Sequence, residues 1–408
     1  MHASVRDDSH PATKGTVAAG AAPRGMAPGV LLAMLACLPI AGTLLVAQVL
    51  PQMEAAFGGT PGVRPLVAVA LTIPALAIAI CSWGMGWLAD RVGKRRLLAV
   101  AMLLYAVFGL SPMLLGSLGG IIAMRGGMGV AEGVIMTCST ALIGDLYDDA
   151  RRERLLSLQT ACASVAAVVF AVVGGALGDI SWRAPFAVYG LALLALPAML
   201  FLVPADGRAR AERRTIAMRS SMPIARLAAI CAATLVLSLG FYVAQIQIPY
   251  LLNALGPVKP SSVGLRSAAA KVAVVVGTLL FAPLRRYPIG VIGTMCFAMV
   301  GLGLAMAGWA TGYAVLATGL VIASLAGGIA LPTFLNGAMA LLPGERRAQG
   351  AGLWQSSFWA GQFLSPIMVI ALTGFVGTLG LAVVFCGAGA LVFGAAASIG
   401  IARHSRGG

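Results

Sequence analysis

Apolar runs of about 20 residues, long enough to cross a bilayer as helices, recur along almost the whole chain. In hydrocarbon a backbone amide finds no water, so each run must close its hydrogen bonds internally, as a helix. Twelve candidates follow in order, near residues 28–50, 66–88, 97–115, 119–143, 156–177, 184–203, 227–250, 263–282, 289–308, 313–337, 351–373 and 378–401. A polar, Arg-rich stretch at 204–226 divides them six and six. The expected organisation is an all-α integral membrane protein. A disordered tail (1–26) precedes a six-helix half (27–203), and the basic linker (204–226) leads to a second six-helix half (227–402) and a short tail (403–408).

Composition excludes a soluble enzyme. Hydrophobic residues make up 60% of the chain and charged residues 10%, against about 25% charged in soluble domains. The formal charge of +15 has an explanation in topology. With the N-terminus inside, the inner segments hold Arg91, Lys94, Arg95 and Arg96, then Arg151, Arg152 and Arg154, the linker arginines, Arg285 and Arg286, and Arg346 and Arg347. The outer segments hold only Arg64, Arg183, Lys259 and Arg266. This asymmetry is the positive-inside pattern, and it suits contact with anionic membrane lipid rather than with nucleic acid. It places both termini and the linker in the cytoplasm of a cell whose inner membrane the chain crosses.

No metal site is expected. The histidines, His2, His10 and His404, all lie in the tails, and the seven cysteines fall in apolar runs without a C-x-x-C pair, where they read as small buried hydrophobes. No phosphate-binding G-x-x-x-x-G-K-[ST] string occurs, so neither ATP hydrolysis nor a cofactor is implied.

The halves echo each other. Val46-Ala47-Gln48-Val49 before Pro51 returns as Val243-Ala244-Gln245-Ile246 before Pro249. Arg151 and Gln159 return as Arg347 and Gln355. A shared offset near half the helical region points to duplication. Two such halves suggest a solute path between them, with a site near the bilayer midplane.

Between the second and third runs stands Gly86-Trp-Leu-Ala-Asp90-Arg91-Val-Gly93-Lys94-Arg95-Arg96. This string resembles the signature loop of the major facilitator superfamily. Arg125-x-x-x-Gly129-x-x-Glu132-Gly133 resembles that family's fourth-helix motif. Gly174-Gly175, followed by Trp182-Arg183, resembles the fifth helix of its efflux-type, drug:proton-antiporter-like members, without their proline. Gly361 and Pro366 form a Gly–Pro kink at the matching place in the second half. The resemblance covers roughly 27–402. It implies a monomeric transporter with two pseudo-symmetric halves, working by alternating access on a small-molecule substrate. It also implies that Asp90 contacts the start of the eleventh helix near Arg346–Gln355, where a carboxylate suits a helix N-terminus. The first run lacks the acidic residue common in multidrug exporters.

Arg125 and Glu132 lie seven residues apart, two turns on one helix face. Charges inside a span are costly and face the bundle interior. Desolvation disfavours a carboxylate and a nearby cation favours it. Glu132 is therefore the candidate proton carrier, with Arg125 as its partner. Lys271, deep in the eighth run, is a candidate cavity cation. Gln48, Gln245, Trp354, Gln355, Trp359 and Gln362 join Arg125 and Lys271 as the expected cavity lining. The function these features point to is proton-coupled efflux of a small organic solute. Arg125 and Lys271 keep an organic-anion symporter or facilitator open, and a non-transporting membrane sensor or partner protein would need no cavity between the halves.

Overall fold

The computed structural model describes residues 25–204, 224–342 and 347–406. Most of the expected N-terminal tail, most of the linker, and Arg346 lie outside the described residues. Among those described, every regular element is helical and twelve helical spans are long and apolar enough to cross a membrane.

The first expected span, 28–50, is broken. It consists of α1 (Ala27–Leu35) and α2 (Leu38–Ala47), followed by a short α3 (Leu50–Ala56). Proline explains both breaks. Pro39 and Pro51 have no N–H to offer the carbonyls of Leu35 and Ala47, and the helices end at those residues. Each proline then sits comfortably in the first turn of the next helix. The second half carries the related pair, α9 (Ile224–Ile246) and α10 (Ile248–Ala254), with Pro249 in the first turn of α10.

The remaining spans of the first half are α4 (Val63–Val92), α5 (Lys94–Leu110), α6 (Leu118–Leu146) and α7 (Asp149–Ile180). A 3-10 turn at Ala184–Gly190 leads into α8 (Leu191–Leu202). In the second half they are α11 (Pro260–Leu284), α12 (Ile289–Gly308), α13 (Tyr313–Ala340), α14 (Arg347–Val376) and α15 (Leu379–Arg406). The last helix continues into the segment expected as a tail. Ser117 caps α6 by accepting from the Gly120 amide at 3.3 Å, and Asp148 caps α7 by accepting from that of Arg151 at 3.1 Å. Gly93 separates α4 from α5 with φ +98° and ψ 125°, a conformation that only glycine adopts without strain.

Buried apolar side chains form two clusters. One runs from Leu32 to Val203 and is joined by Ile246; the other runs from Leu227 to Ala390. Outside them, Phe201 and Phe375 are each 89% exposed, as suits helices whose surroundings are hydrocarbon. Two seams join the halves. In one, α4 packs on α14, and the Ser356 hydroxyl donates to the Ala79 carbonyl at 2.7 Å. In the other, α7 packs on α11.

Candidate functional site

Pro74 interrupts the ladder of α4 and leaves the Ala70 carbonyl without its usual donor. The Arg125 guanidinium supplies one: its Nε donates to Ala70 O. The same side chain donates to Gly42 O at 2.7 Å, and at 3.4 Å to Leu71 O and to the Tyr189 hydroxyl. Gly129, one turn on, makes this reach possible. A Cβ there would lie 2.4 Å from Pro74 Cα, so α6 approaches the kink closely only because residue 129 has no side chain. Arg125 is fully buried inside the first half and ties α2, α4, α6 and the 3-10 turn together.

Glu132 is 3% exposed, and its Oε1 has no hydrogen-bond partner among the described residues. A Cβ on Gly42 would sit 1.9 Å from that oxygen. Glu132 and Arg125 therefore meet on the same residue of α2, and Arg125 is the charged neighbour of Glu132.

The second constellation lies between the halves. Ser267 on α11 donates at 3.1 Å to Oε1 of Gln48, the residue that follows α2. One turn further along α11, Lys271 donates to Gln245 Oε1 on α9, and Gln245 donates to the Ser324 hydroxyl on α13 at 2.8 Å. The repeat-related glutamines thus converge on one face of α11. All five side chains are buried. Ser267 and Ser324 were not legible as site residues, because a serine in an apolar helix carries no signal until a partner is known.

An aromatic group adjoins on α9 and α14. The Trp354 and Phe358 rings stack 5.9 Å apart at 7°. Phe358 also lies 5.4 Å from Tyr242 and 5.6 Å from Trp359. The indole N–H groups of Trp354 and Trp359 have no partner among the described residues. Gln362 donates to Thr43 Oγ1 across the halves at 3.0 Å, and Gln355 lies half-buried on the same helix.

At the basic end, Lys94 bridges Asp90 at 3.7 Å and Asp145 of α6 at 2.5 Å. Arg95 donates to Leu200 O, and Arg91 lies over the Trp87 ring at 5.1 Å. Gly86 has open space where a Cβ would be. The expected contact of Asp90 with Arg346–Gln355 falls in part on residues 346–349, whose side chains are not described. Helix α7 is continuous through Gly174 and Gly175, which serve close packing: Gly174 faces Leu45 of α2, and Gly175 faces Pro260 and Gly264 of the other half. Gly361 packs on Ser238 of α9, ahead of Pro366 within α14.

At the opposite end, the Tyr250 hydroxyl donates to Glu54 Oε1 at 2.5 Å, with Arg64 5.7 Å from the Tyr250 ring centre. The Ser261 amide, in the first turn of α11, donates to Asp179 of α7 at 3.1 Å. Sequence reading missed this latch, since its partners lie about 196 and 82 residues apart and outside any motif.

The sequence model of the Major Facilitator Superfamily matches residues 30–227. A class C tetracycline resistance protein of Escherichia coli is 30% identical over 225 residues, 53% of this chain and 55% of that protein. The multidrug efflux protein YfmO of Bacillus subtilis is 23% identical over 52% of this chain and 53% of its own. The chain thus spans about half the length of these curated relatives. Among solved structures, a bacterial homolog of the human lysosomal transporter Spinster, inward-facing and occupied, superposes with a TM-score of 0.76 at 15% identity, covering 94% of this chain and 98% of that one. A D-xylose–proton symporter gives 0.73 at 17% identity, covering 90% and 96%. At such identities the likeness is one of fold.

Proposed function

We propose that the chain is a member of the major facilitator superfamily, whose sequence model matches residues 30–227, and that it exports a small organic solute by alternating access in exchange for protons. It is a multi-pass membrane protein and a transporter rather than an enzyme. The observation that carries the coupling is Glu132: a carboxyl deep in a span, with one oxygen unpartnered, pressed on the first-span residue that Arg125 also holds. A carboxyl in that setting can take a proton when the site opens to one side and give it up when it opens to the other. The two relatives support export, since both are named for resistance or efflux. The distribution of basic residues supports an orientation with both termini and the linker in the cytoplasm of an inner membrane, Asp90 and Lys94 at the inner end and Glu54 and Tyr250 at the outer. The chain acts as a monomer of two six-helix halves, 27–203 and 227–402. Asp90 and its loop bias the balance between inward- and outward-open states.

The test is reconstitution in vesicles holding an interior pH dye, with tetracyclines and organic acids screened for solute-dependent proton flux. The active compound is then followed in Glu132→Gln, which mimics the protonated acid. The variant should lose gradient-driven accumulation and keep solute exchange. Full accumulation by a well-expressed Glu132→Gln protein would remove Glu132 as the carrier.

A further inference from the structure

Among the described residues Lys271 has no counterion. It is 8% exposed, and among the described residues its ammonium makes no ion pair and one hydrogen bond, to Gln245 Oε1. Glu132 does not fill that role, because its charged neighbour is Arg125, within the first half. A buried cation without an anion is strongly disfavoured unless something else compensates it. Arg125 shows how this protein compensates a structural cation, with carbonyls and a hydroxyl from three elements. Lys271 has nothing of the kind, and an ammonium carries three donors.

We propose that Lys271 anchors the carboxylate of the transported solute, and that the solute is an aromatic organic acid. The proposal rests on the transporter reading above. Position supports it. Ser267 shares the Lys271 face of α11 at i, i+4 spacing, and its bond to Gln48 crosses from one half to the other. When the halves part, that bond opens, and Lys271, Ser267 and the two glutamines become accessible together. The polar cluster also has an apolar neighbour of defined shape. Tyr242 precedes Gln245 by three residues and so lies on the same face of α9. Its ring continues through Phe358 to Trp354 and Trp359. A cation at one end of an aromatic wall suits a flat ring bearing a carboxylate, with the ring against the wall and the charge on the ammonium.

The probes are naphthoate, naphthamide and acetate, which separate charge from ring. Binding is read as a shift in the thermal melting midpoint of the purified full chain at about pH 6, where a carboxylic acid is ionised. Naphthoate should raise the midpoint saturably, and naphthamide and acetate should not. In Lys271→Met the naphthoate response should weaken about tenfold or more, from loss of a charge-assisted bond. The ligand-free midpoint of that variant should rise, because an uncompensated charge is gone; a purely structural lysine would show a fall. Equal shifts with naphthoate and naphthamide, no shift with naphthoate, or a full response in Lys271→Met would each overturn the proposal. The contrast between the two naphthalene probes on the wild-type protein decides the matter even if the variant does not purify. The melt uses no proton gradient, so its failure is distinct from failure of the Glu132 test, and the converse holds.

Discussion

Arg125 and Glu132 lie two turns apart on α6, and both press on Gly42 of α2 from different sides. Arg125 holds the Gly42 carbonyl, and Glu132 fills the space where a Cβ would stand. The neighbour in the way is the end of a flexible side chain, so Gly42→Ala should fold. It should nevertheless displace the carboxyl proposed to carry the proton. We expect near-normal expression, with solute-driven proton flux reduced several-fold in vesicles. Wild-type flux from Gly42→Ala would show that the position of Glu132 against α2 does not matter for coupling. Both charged residues were legible in the sequence, because an ionisable group in an apolar span is rare and costly. What Arg125 binds was not legible. Most of its acceptors are backbone carbonyls, one of them that of Ala70, 55 residues away and freed by Pro74, and a carbonyl has no letter in a sequence.

Helices explain why the glycines sit where they do. The α7–α11 seam is a crossing of small residues in which Gly175 and Gly264 face each other. A Cβ on Gly264 would lie 2.4 Å from the Ala171 carbonyl, and backbone cannot rotate out of the way. Overpacking of this kind costs about 1–3 kcal/mol, paid only while the seam is closed. Gly264→Ala should therefore shift the balance toward the state with this seam apart, by about tenfold for each 1.4 kcal/mol. The check is the rate at which an impermeant thiol reagent labels Val49→Cys in a chain without its native cysteines, since Val49 is buried at this end. Faster labelling in Gly264→Ala is expected; an unchanged rate would mean the seam does not open. Length and hydropathy were enough to find all twelve spans, because the bilayer sets one ruler for each of them. The breaks in the first span were written in Pro39 and Pro51, but a proline inside a span can also kink or be compensated, as Pro74 is. Only the neighbouring helix decides which.

At the scale of the whole molecule, the halves are joined along the α4–α14 seam and at the far end of the bundle. Ser356 holds Ala79 on α4 at one seam, and Glu54, Asp179, Tyr250 and Ser261 hold the far end. Glu54 makes the far end sensitive to pH. Burial raises its pKa above the ordinary carboxylate value, while the Tyr250 hydroxyl and Arg64 pull it down less strongly. Once the halves part, Glu54 faces water and regains the ordinary value. The closed form therefore binds the proton more tightly than the open form. Its closure is favoured most below the ordinary carboxylate pKa, and that advantage is lost as pH rises through the raised value. Spin labels at Gly59→Cys and Ala254→Cys, again in a chain without its native cysteines, should report a longer separation as pH rises through this window. Glu54→Gln keeps an uncharged acceptor for Tyr250 and should stay closed across the same range. A pH response that survives in Glu54→Gln would assign the sensing to another group. Under the proposed orientation this end faces outward, so an acidic exterior would hold it shut until the halves exchange their load.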